Sequence, residues 1–204
     1  MEDLIARWRR VVGDGGDHVA EDLLARWSEP HRRYHDIEHL RDVLDAVDLL
    51  DAHAADPMAV RLAAWFHDAV YEGRPGDDES ASAALAAEIL PSIGVSDNRA
   101  REVVRLVELT ASHDPAPDDA NGAVLCDADL AVLAGDAEAY AAYAAGVREE
   151  YADVADEDFR AGREAVLRTL LARDPLFRTP TGRSRWEEPA RSNITTELTL
   201  LSVS

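Results

Sequence analysis

Apolar residues recur along most of the chain at the three- and four-residue spacing of amphipathic helices. The clearest stripe consists of Ile37, Leu40, Val43, Leu44, Val47 and Leu50. Further stretches with helical spacing lie at 4–12, 19–27, 60–70, 81–90, 103–109, 140–151 and 159–172. No alternating strand pattern is bracketed by hairpin turns. The pattern therefore predicts an all-α protein.

Local signals predict where several helices begin and end. Asp56 followed by Pro57 is typical of an N-cap and the first helical position. We expect the helix that begins there to continue through His67 and to stop at Gly73. Pro91 is expected to lie just after the end of an Ala-rich helix.

The chain shows one candidate domain boundary, a connector at 174–185 that is rich in Pro, Gly and Arg. The residues after it are too few to form a hydrophobic core of their own. We therefore expect a single helical domain over 1–204, with the connector and last helix, 174–204, packed on it. The short apolar segment 124–133 is expected to be helical because of its alanine content and context.

Charge narrows the classes of partner. The chain carries 41 acidic and 21 basic residues, which gives a formal charge of −20 and disfavours an extended nucleic acid as partner. No apolar run reaches the roughly 18 residues that span a bilayer, and the N-terminus lacks signal-peptide character. We expect a cytoplasmic protein that does not bind membranes. Every basic residue is arginine, which excludes lysine-dependent chemistry.

Histidines and aspartates on apolar segments indicate a metal site. His67 lies in an apolar stretch and is followed by Asp68, a charged residue that needs a partner there. His39 on an earlier helix and either Asp127 or Asp129 on a later one are candidates to complete the shell. A mixed N/O set without thiolate suits Mn, Fe, Co, Ni or Mg better than a structural zinc.

A second motif competes with this interpretation. His35, Glu38 and His39 match the H-x-x-E-H pattern of inverted zinc peptidases, in which the glutamate is the general base. That reading leaves His67 and Asp68 unexplained. The chain also lacks the strands expected of such peptidases, so the motif ranks second.

The order His39, His67-Asp68 and a later Asp resembles the H…HD…D signature of the HD superfamily of metal-dependent phosphohydrolases. The finer resemblance is to a bacterial subfamily of small predicted HD phosphohydrolases. Five ordered segments carry it: 28–39, 64–71, 78–81, 127–130 and 188–193. The resemblance implies an HD-type helical bundle. It also implies four metal ligands, which are His39, His67, Asp68 and Asp129, with Asp127 as the alternative to Asp129.

The resemblance also implies roles at the substrate. Asp68 would bridge to the attacking water and take its proton, and Glu72 and Glu79 are further candidates for proton transfer. Three side chains are expected to face the substrate or its metal: Arg32, His35 and His113. Arg33 is the alternative to Arg32, since arginine suits bidentate contact with phosphate.

The implied function is metal-dependent hydrolysis of a phosphate ester or anhydride of a small molecule, with nucleotides as the commonest substrates of such enzymes. A non-catalytic HD module that binds metal or nucleotide is the alternative. The expected partner is a small phosphorylated substrate, and the sequence leaves a homodimer open.

Overall fold

The computed structural model describes residues 2–203, apart from the side chains of Glu2, Asp14 and Val203. Residues 1 and 204 of the predicted domain lie outside the described part. Within it the chain forms ten α-helices and no strand, which confirms the all-α prediction. The helices are α1 (Glu2–Val12), α2 (Asp17–Trp27), α3 (Ile37–Leu50), α4 (Pro57–Phe66), α5 (Asp77–Ser92), α6 (Asp97–Thr110), α7 (Ala120–Asp129), α8 (Ala137–Glu150), α9 (Asp156–Leu171) and α10 (Pro180–Val203).

Short 3-10 helices follow α1, α3 and α7, at Asp14–Gly16, Asp51–His53 and Leu130–Ala134. Across the described residues, no helix combines the length and the apolarity that a bilayer crossing requires.

The helix that begins at Pro57 is shorter than predicted. Its N-cap is as expected, because the Asp56 side chain accepts the N–H of Ala59. It ends at Phe66, however, and not at Gly73. In a continuing helix the N–H of Val70 would bond to Phe66, but here it donates to the Ser82 hydroxyl on α5 at 3.0 Å. The chain therefore turns at His67 and Asp68.

Prolines occur in the last turn of α5 and at the first position of α10. Pro91 lies in the last turn of α5, which extends to Ser92, so the prediction that it follows the helix was wrong. The last helix begins at Pro180, inside the predicted connector. A proline at a first helical position loses no backbone bond, because that N–H would lack a partner anyway.

Hydrophobic side chains form two clusters. The larger one is formed by the helices from α1 through α7, and four aromatic side chains are fully buried within it: Trp8, Trp27, Trp65 and Phe66. The smaller one joins α8, α9 and α10 to the 3-10 helix after α7. Trp186 on α10 packs against both clusters, so the C-terminal helices are attached to the rest through apolar contact.

Three mutually packed helices carry the residues that the sequence singled out. α3, α4 and α7 contact one another pairwise in the larger cluster. α3 begins at an N-cap aspartate, Asp36, whose side chain accepts the N–H groups of Glu38 and His39. This cap fixes the first turn of α3, and with it the position of His39.

The start of α10 depends on a buried carboxylate from α7. Asp127 accepts the N–H groups of Arg178 and Thr179 and the Thr179 hydroxyl, each at 2.7 Å. Thr179 in turn accepts the N–H of Gly182, where a Cβ would lie 2.5 Å from Asp127 Oδ2. A negative charge at a helix N-terminus is stabilising, so this contact anchors α10 to α7.

We expect Asp127→Ala to lower the free energy of unfolding by about 2–3 kcal/mol, because buried N–H groups would lose their acceptor. Urea denaturation measures this. Asp136→Ala is the matched control, since Asp136 caps α8 at exposed N–H groups that water can solvate, and should cost about 1 kcal/mol. An equal or smaller loss for Asp127→Ala would contradict the assigned role.

Candidate metal centre

Three side chains that are distant in sequence meet at one buried point. His39 Nε2 lies 3.2 Å from His67 Nε2 and 3.1 Å from Asp129 Oδ1. His67 Nε2 lies 3.5 Å from the same Asp129 oxygen. Their potential ligand atoms all lie within 4.8 Å of one another, a spacing that can hold a metal ion. The three come from α3, from the turn after α4 and from the end of α7.

Asp68 lies at the edge of this cluster. Its Oδ2 is 3.2 Å from His67 Nε2 and 3.9 Å from His39 Nε2. Because α4 ends at Phe66, Asp68 lies in a turn, and its carboxylate reaches the same point as the neighbouring His67 ring. Three of the four predicted ligands therefore cluster mutually, and Asp68 lies beside them, against the two histidines.

The donor set fits a divalent cation. His67 Nδ1 donates to the Ala64 carbonyl at 2.9 Å, so Nε2 is the ring nitrogen that faces the cluster. Two imidazole nitrogens and two carboxylates without sulfur match Mn, Fe, Co, Ni or Mg. The ring of Trp27 lies 5.3 Å from that of His67 and closes the apolar side of the site.

The charges of the cluster support one another. Burial alone lowers the pKa of His67, but Asp68 and Asp129 outweigh it and raise that pKa well above its ordinary value. Burial likewise raises the pKa of both aspartates, yet the charge of His67 dominates and lowers each pKa below its usual range. The site thus keeps two ionised carboxylates in a buried position, where they attract a cation.

The outer oxygen of Asp129 is held by His113. His113 Nε2 lies 2.6 Å from Asp129 Oδ2, while Oδ1 faces His39 and His67. His113 stands just after α6 with a φ of 49°, in the left-handed region. Arg173 donates to its carbonyl and to that of Ser112, both at 2.7 Å. His113 therefore orients the carboxylate that closes the cluster.

Asp127, the alternative ligand, points elsewhere. Its carboxylate is directed to the start of α10, and it is not among the three clustered ligand residues. Side chains two positions apart on a helix point in roughly opposite directions, at about 200°. The geometry therefore favours Asp129 as the fourth ligand.

Sequence reasoning missed Glu150, a second buried carboxylate. Its side chain is 1% exposed, and Oε1 accepts the N–H groups of Arg33, Tyr34 and His35 at 2.8–2.9 Å. Oε2 lies 2.7 Å from His35 Nδ1 and accepts the Tyr71 hydroxyl at 2.9 Å. Glu150 thus fixes both the loop before α3 and the orientation of the His35 ring.

A glycine one turn earlier permits this approach. A Cβ on Gly146 would lie 3.1 Å from both the Arg33 carbonyl oxygen and Tyr34 Cβ. Gly146 and Glu150 are four residues apart and share a face of α8. The pair was a weak sequence signal, since Glu149-Glu150 reads as a solvated end of a helix.

The pKa values of His35 and Glu150 shift in opposite directions. Burial lowers the pKa of His35, but the bond to Glu150 and the charge of Asp68 outweigh it, so the net shift is upward. Burial raises the pKa of Glu150, but the bond and charge of His35 dominate and lower it to about 2. The pair therefore favours an imidazolium beside a carboxylate.

Arg32 does not face a substrate. Its side chain is 0% exposed, and its Nη1 donates to the carbonyls of His35 at 2.9 Å and Asp68 at 2.8 Å. The guanidinium also lies over the rings of Trp27 and Tyr71. The prediction that Arg32 binds substrate is therefore corrected: it holds the backbone on both sides of the site. Arg33 turns outward, to the Pro30 carbonyl and to Glu149.

The two glutamates predicted for proton transfer have other positions. Glu72 is exposed, and its nearest charged partner is Arg74 at 3.9 Å. Glu79 accepts the N–H of Gly76 and so caps α5. Neither carboxylate belongs to the clustered ligand set, although Glu79 lines the adjacent cavity.

The inverted-peptidase motif does not assemble. Glu38 is 73% exposed and pairs with Arg41, and it makes no contact with the cluster. His35 Nδ1 is directed to Glu150, so His35 and His39 do not form a pair of ligands with Glu38 between them. The competing interpretation therefore lacks its general base.

A cavity of about 130 Å³ opens beside the cluster. Its wall includes Asp68 and Asp129 from the cluster, His35 and His113 beside them, and Arg74 from the loop before α5. The cavity brings His35 and His113, two of the three predicted substrate residues, next to the metal ligands.

Comparison with known proteins adds no family to this geometry. No protein-family model matches the chain, and no curated protein or solved structure is significantly similar to it.

Proposed function

We propose that this protein is a metal-dependent phosphohydrolase of the HD type, which cleaves a phosphate ester or anhydride of a small molecule. One observation carries the proposal. His39 from α3, His67 from the turn after α4 and Asp129 from the end of α7 form one buried cluster with Asp68 at its edge, in the chain order H…HD…D. A structural role alone would not need four ionisable groups at one buried point.

The four converging side chains would hold the divalent ion. When bound, the ion would polarise a phosphoryl oxygen and lower the pKa of water toward neutrality. Nucleotides are the substrate class that the HD resemblance favours. The cavity beside the cluster gives such a phosphate access to the ligands.

Asp68 is suited to accept a proton from the attacking water. Its carboxylate lies in the wall of the cavity and at the edge of the cluster. As the water oxygen forms its bond to phosphorus, the proton passes to this carboxylate. The P–O bond to the leaving group breaks, and the leaving oxygen keeps the electron pair.

His35 is suited to protonate that leaving oxygen. Glu150 holds its Nδ1, so Nε2 is the nitrogen left to face the cavity that His35 lines. Although burial lowers it, the bond to Glu150 brings a net rise in the pKa of His35, which favours the protonated form that a general acid requires. Asp68 and His35 thus divide the base and acid roles between two environments.

Removal of a ligand should abolish both metal binding and turnover. We expect His67→Ala and Asp129→Asn to lose bound metal and to reduce phosphatase activity by about 100-fold or more. Elemental analysis after loading with Mn, Co, Ni or Mg, coupled to a screen of phosphate esters, measures both.

Glu38→Gln is the control, because Glu38 is exposed, and it should leave metal content and activity nearly unchanged. Loss of activity in Glu38→Gln alone would overturn the proposal and favour a peptidase. Bound metal without turnover in the unchanged protein would point to a binding module.

Glu150→Gln should lower the pKa of His35, since an ionised partner is removed while the amide oxygen can still accept backbone N–H groups. NMR titration of the metal-free protein measures it. A raised histidine pKa stabilises the fold fully below about pH 6.5, and that stabilisation is lost as pH rises through the folded pKa. The difference in free energy of unfolding between the unchanged protein and Glu150→Gln should therefore become smaller as the pH rises from 6 to 9.

The control is Glu149→Gln, because the Glu149 side chain is exposed and its carboxylate lies 3.6 Å from Arg33 rather than at His35. It should leave the His35 titration where it is in the unchanged chain. An unchanged His35 pKa in Glu150→Gln would refute the assigned pairing.

A further inference from the structure

The chain must bind phosphate without lysine, so its cationic contacts come from arginine and histidine. Arg32 is buried under backbone carbonyls, and Arg33 turns outward. Among the described residues, Arg74 is the one arginine in the wall of the cavity beside the cluster. Arg74 lies outside the five segments that carry the HD resemblance.

The backbone at Arg74 is fixed while its side chain is largely exposed. Asp78 Oδ2 accepts the N–H groups of Glu72 at 2.9 Å and Arg74 at 2.7 Å. Gly73 and Gly76 on either side have φ values of 71° and 89°, which only glycine adopts readily. The Arg74 side chain is 66% exposed, and its charged contact is the 3.9 Å approach to Glu72. A guanidinium on such a rigid base is ready to bind an anion from solution.

The charges around the cavity limit the size of that anion. Besides Asp68 and Asp129, the wall contains the carboxylates of Asp78 and Glu79, which bond to backbone N–H groups of the loop. A triphosphate would bring several further negative charges to one guanidinium and these acids. A single phosphoryl group needs only one bidentate arginine in addition to a divalent ion.

The volume of the cavity also limits the size of the anion that it can enclose. The cavity measures about 130 Å³, which is below the roughly 300–1,000 Å³ of sites that enclose a drug-sized ligand. It can enclose one phosphoryl group, while the rest of a larger molecule stays at the mouth.

We infer that the substrate is a phosphomonoester whose single phosphoryl group is bound by the Arg74 guanidinium, with its alcohol part at the mouth of the cavity. This inference rests on the proposed function. Water supplies the new P–O bond, the ester P–O bond breaks, and the products are inorganic phosphate and the alcohol.

The test uses the Mn-loaded protein with AMP and ATP as probes, and inorganic phosphate as a binding probe. AMP should be hydrolysed with the higher kcat/KM. Arg74→Ala should raise KM for AMP and weaken phosphate binding, measured by calorimetry, each by about 10- to 100-fold with a smaller change in kcat. Arg74→Lys should recover only part, since lysine cannot bind in bidentate fashion.

Arg101→Ala is the matched control, because Arg101 is an exposed arginine of α6 away from the cavity, and it should change neither quantity. ATP cleaved at least as efficiently as AMP, or unchanged phosphate binding in Arg74→Ala, would overturn the inference. No hydrolysis of any ester, with phosphate binding still dependent on Arg74, would instead overturn the proposed function and leave the anion site supported.

Discussion

One carboxylate, that of Asp129, is shared by three imidazoles, and the arrangement of the site depends on it. His39 and His67 approach one oxygen and His113 the other, at 2.6–3.5 Å. A buried charge of this kind is tolerated only where partners compensate its loss of hydration. The contacts connect the end of α7 to α3, to the turn after α4 and to the end of α6, so the helices must pack in the one arrangement that lets all three rings reach it.

A second set of buried polar contacts ties the loop before α3 to the C-terminal helices. Glu150 accepts three consecutive backbone N–H groups of this loop. Arg32, which belongs to the loop, donates to the carbonyls of His35 and of Asp68 in the turn after α4. Because one residue binds the donors and the other the acceptors, little of this irregular backbone is left unpaired. The rigidity of the loop follows from side chains rather than from helical structure, and it fixes His35 against the ring of Tyr71.

Patterns within short stretches of sequence predicted the helical class and the residues of the candidate site that stand next to one another. The helical spacing gave the all-α class, and an unpartnered charge beside His67 pointed to Asp68. The features that sequence reasoning missed depend on residues that are distant in sequence. Glu150 is 115 residues from His35, and the early end of α4 depends on a hydroxyl 12 residues after Val70. The residues alone left Asp127 and Asp129 open, and the resemblance preferred Asp129; in the structure Asp127 is directed to the start of α10 and Asp129 to His39 and His67.

The excess of acidic residues then has a physical consequence for ligand choice. A chain with a formal charge of −20 repels extended polyanions over its whole surface, and this repulsion is screened only beyond about 8–10 Å at physiological salt. A small phosphate would respond instead to the charges within a few ångströms, which at this cavity are those of His35, Arg74 and the proposed divalent ion against the carboxylates of the wall. The net charge and the local site therefore act on different length scales. An acidic surface is compatible with the small phosphate proposed for the cavity, and it disfavours polymeric anions.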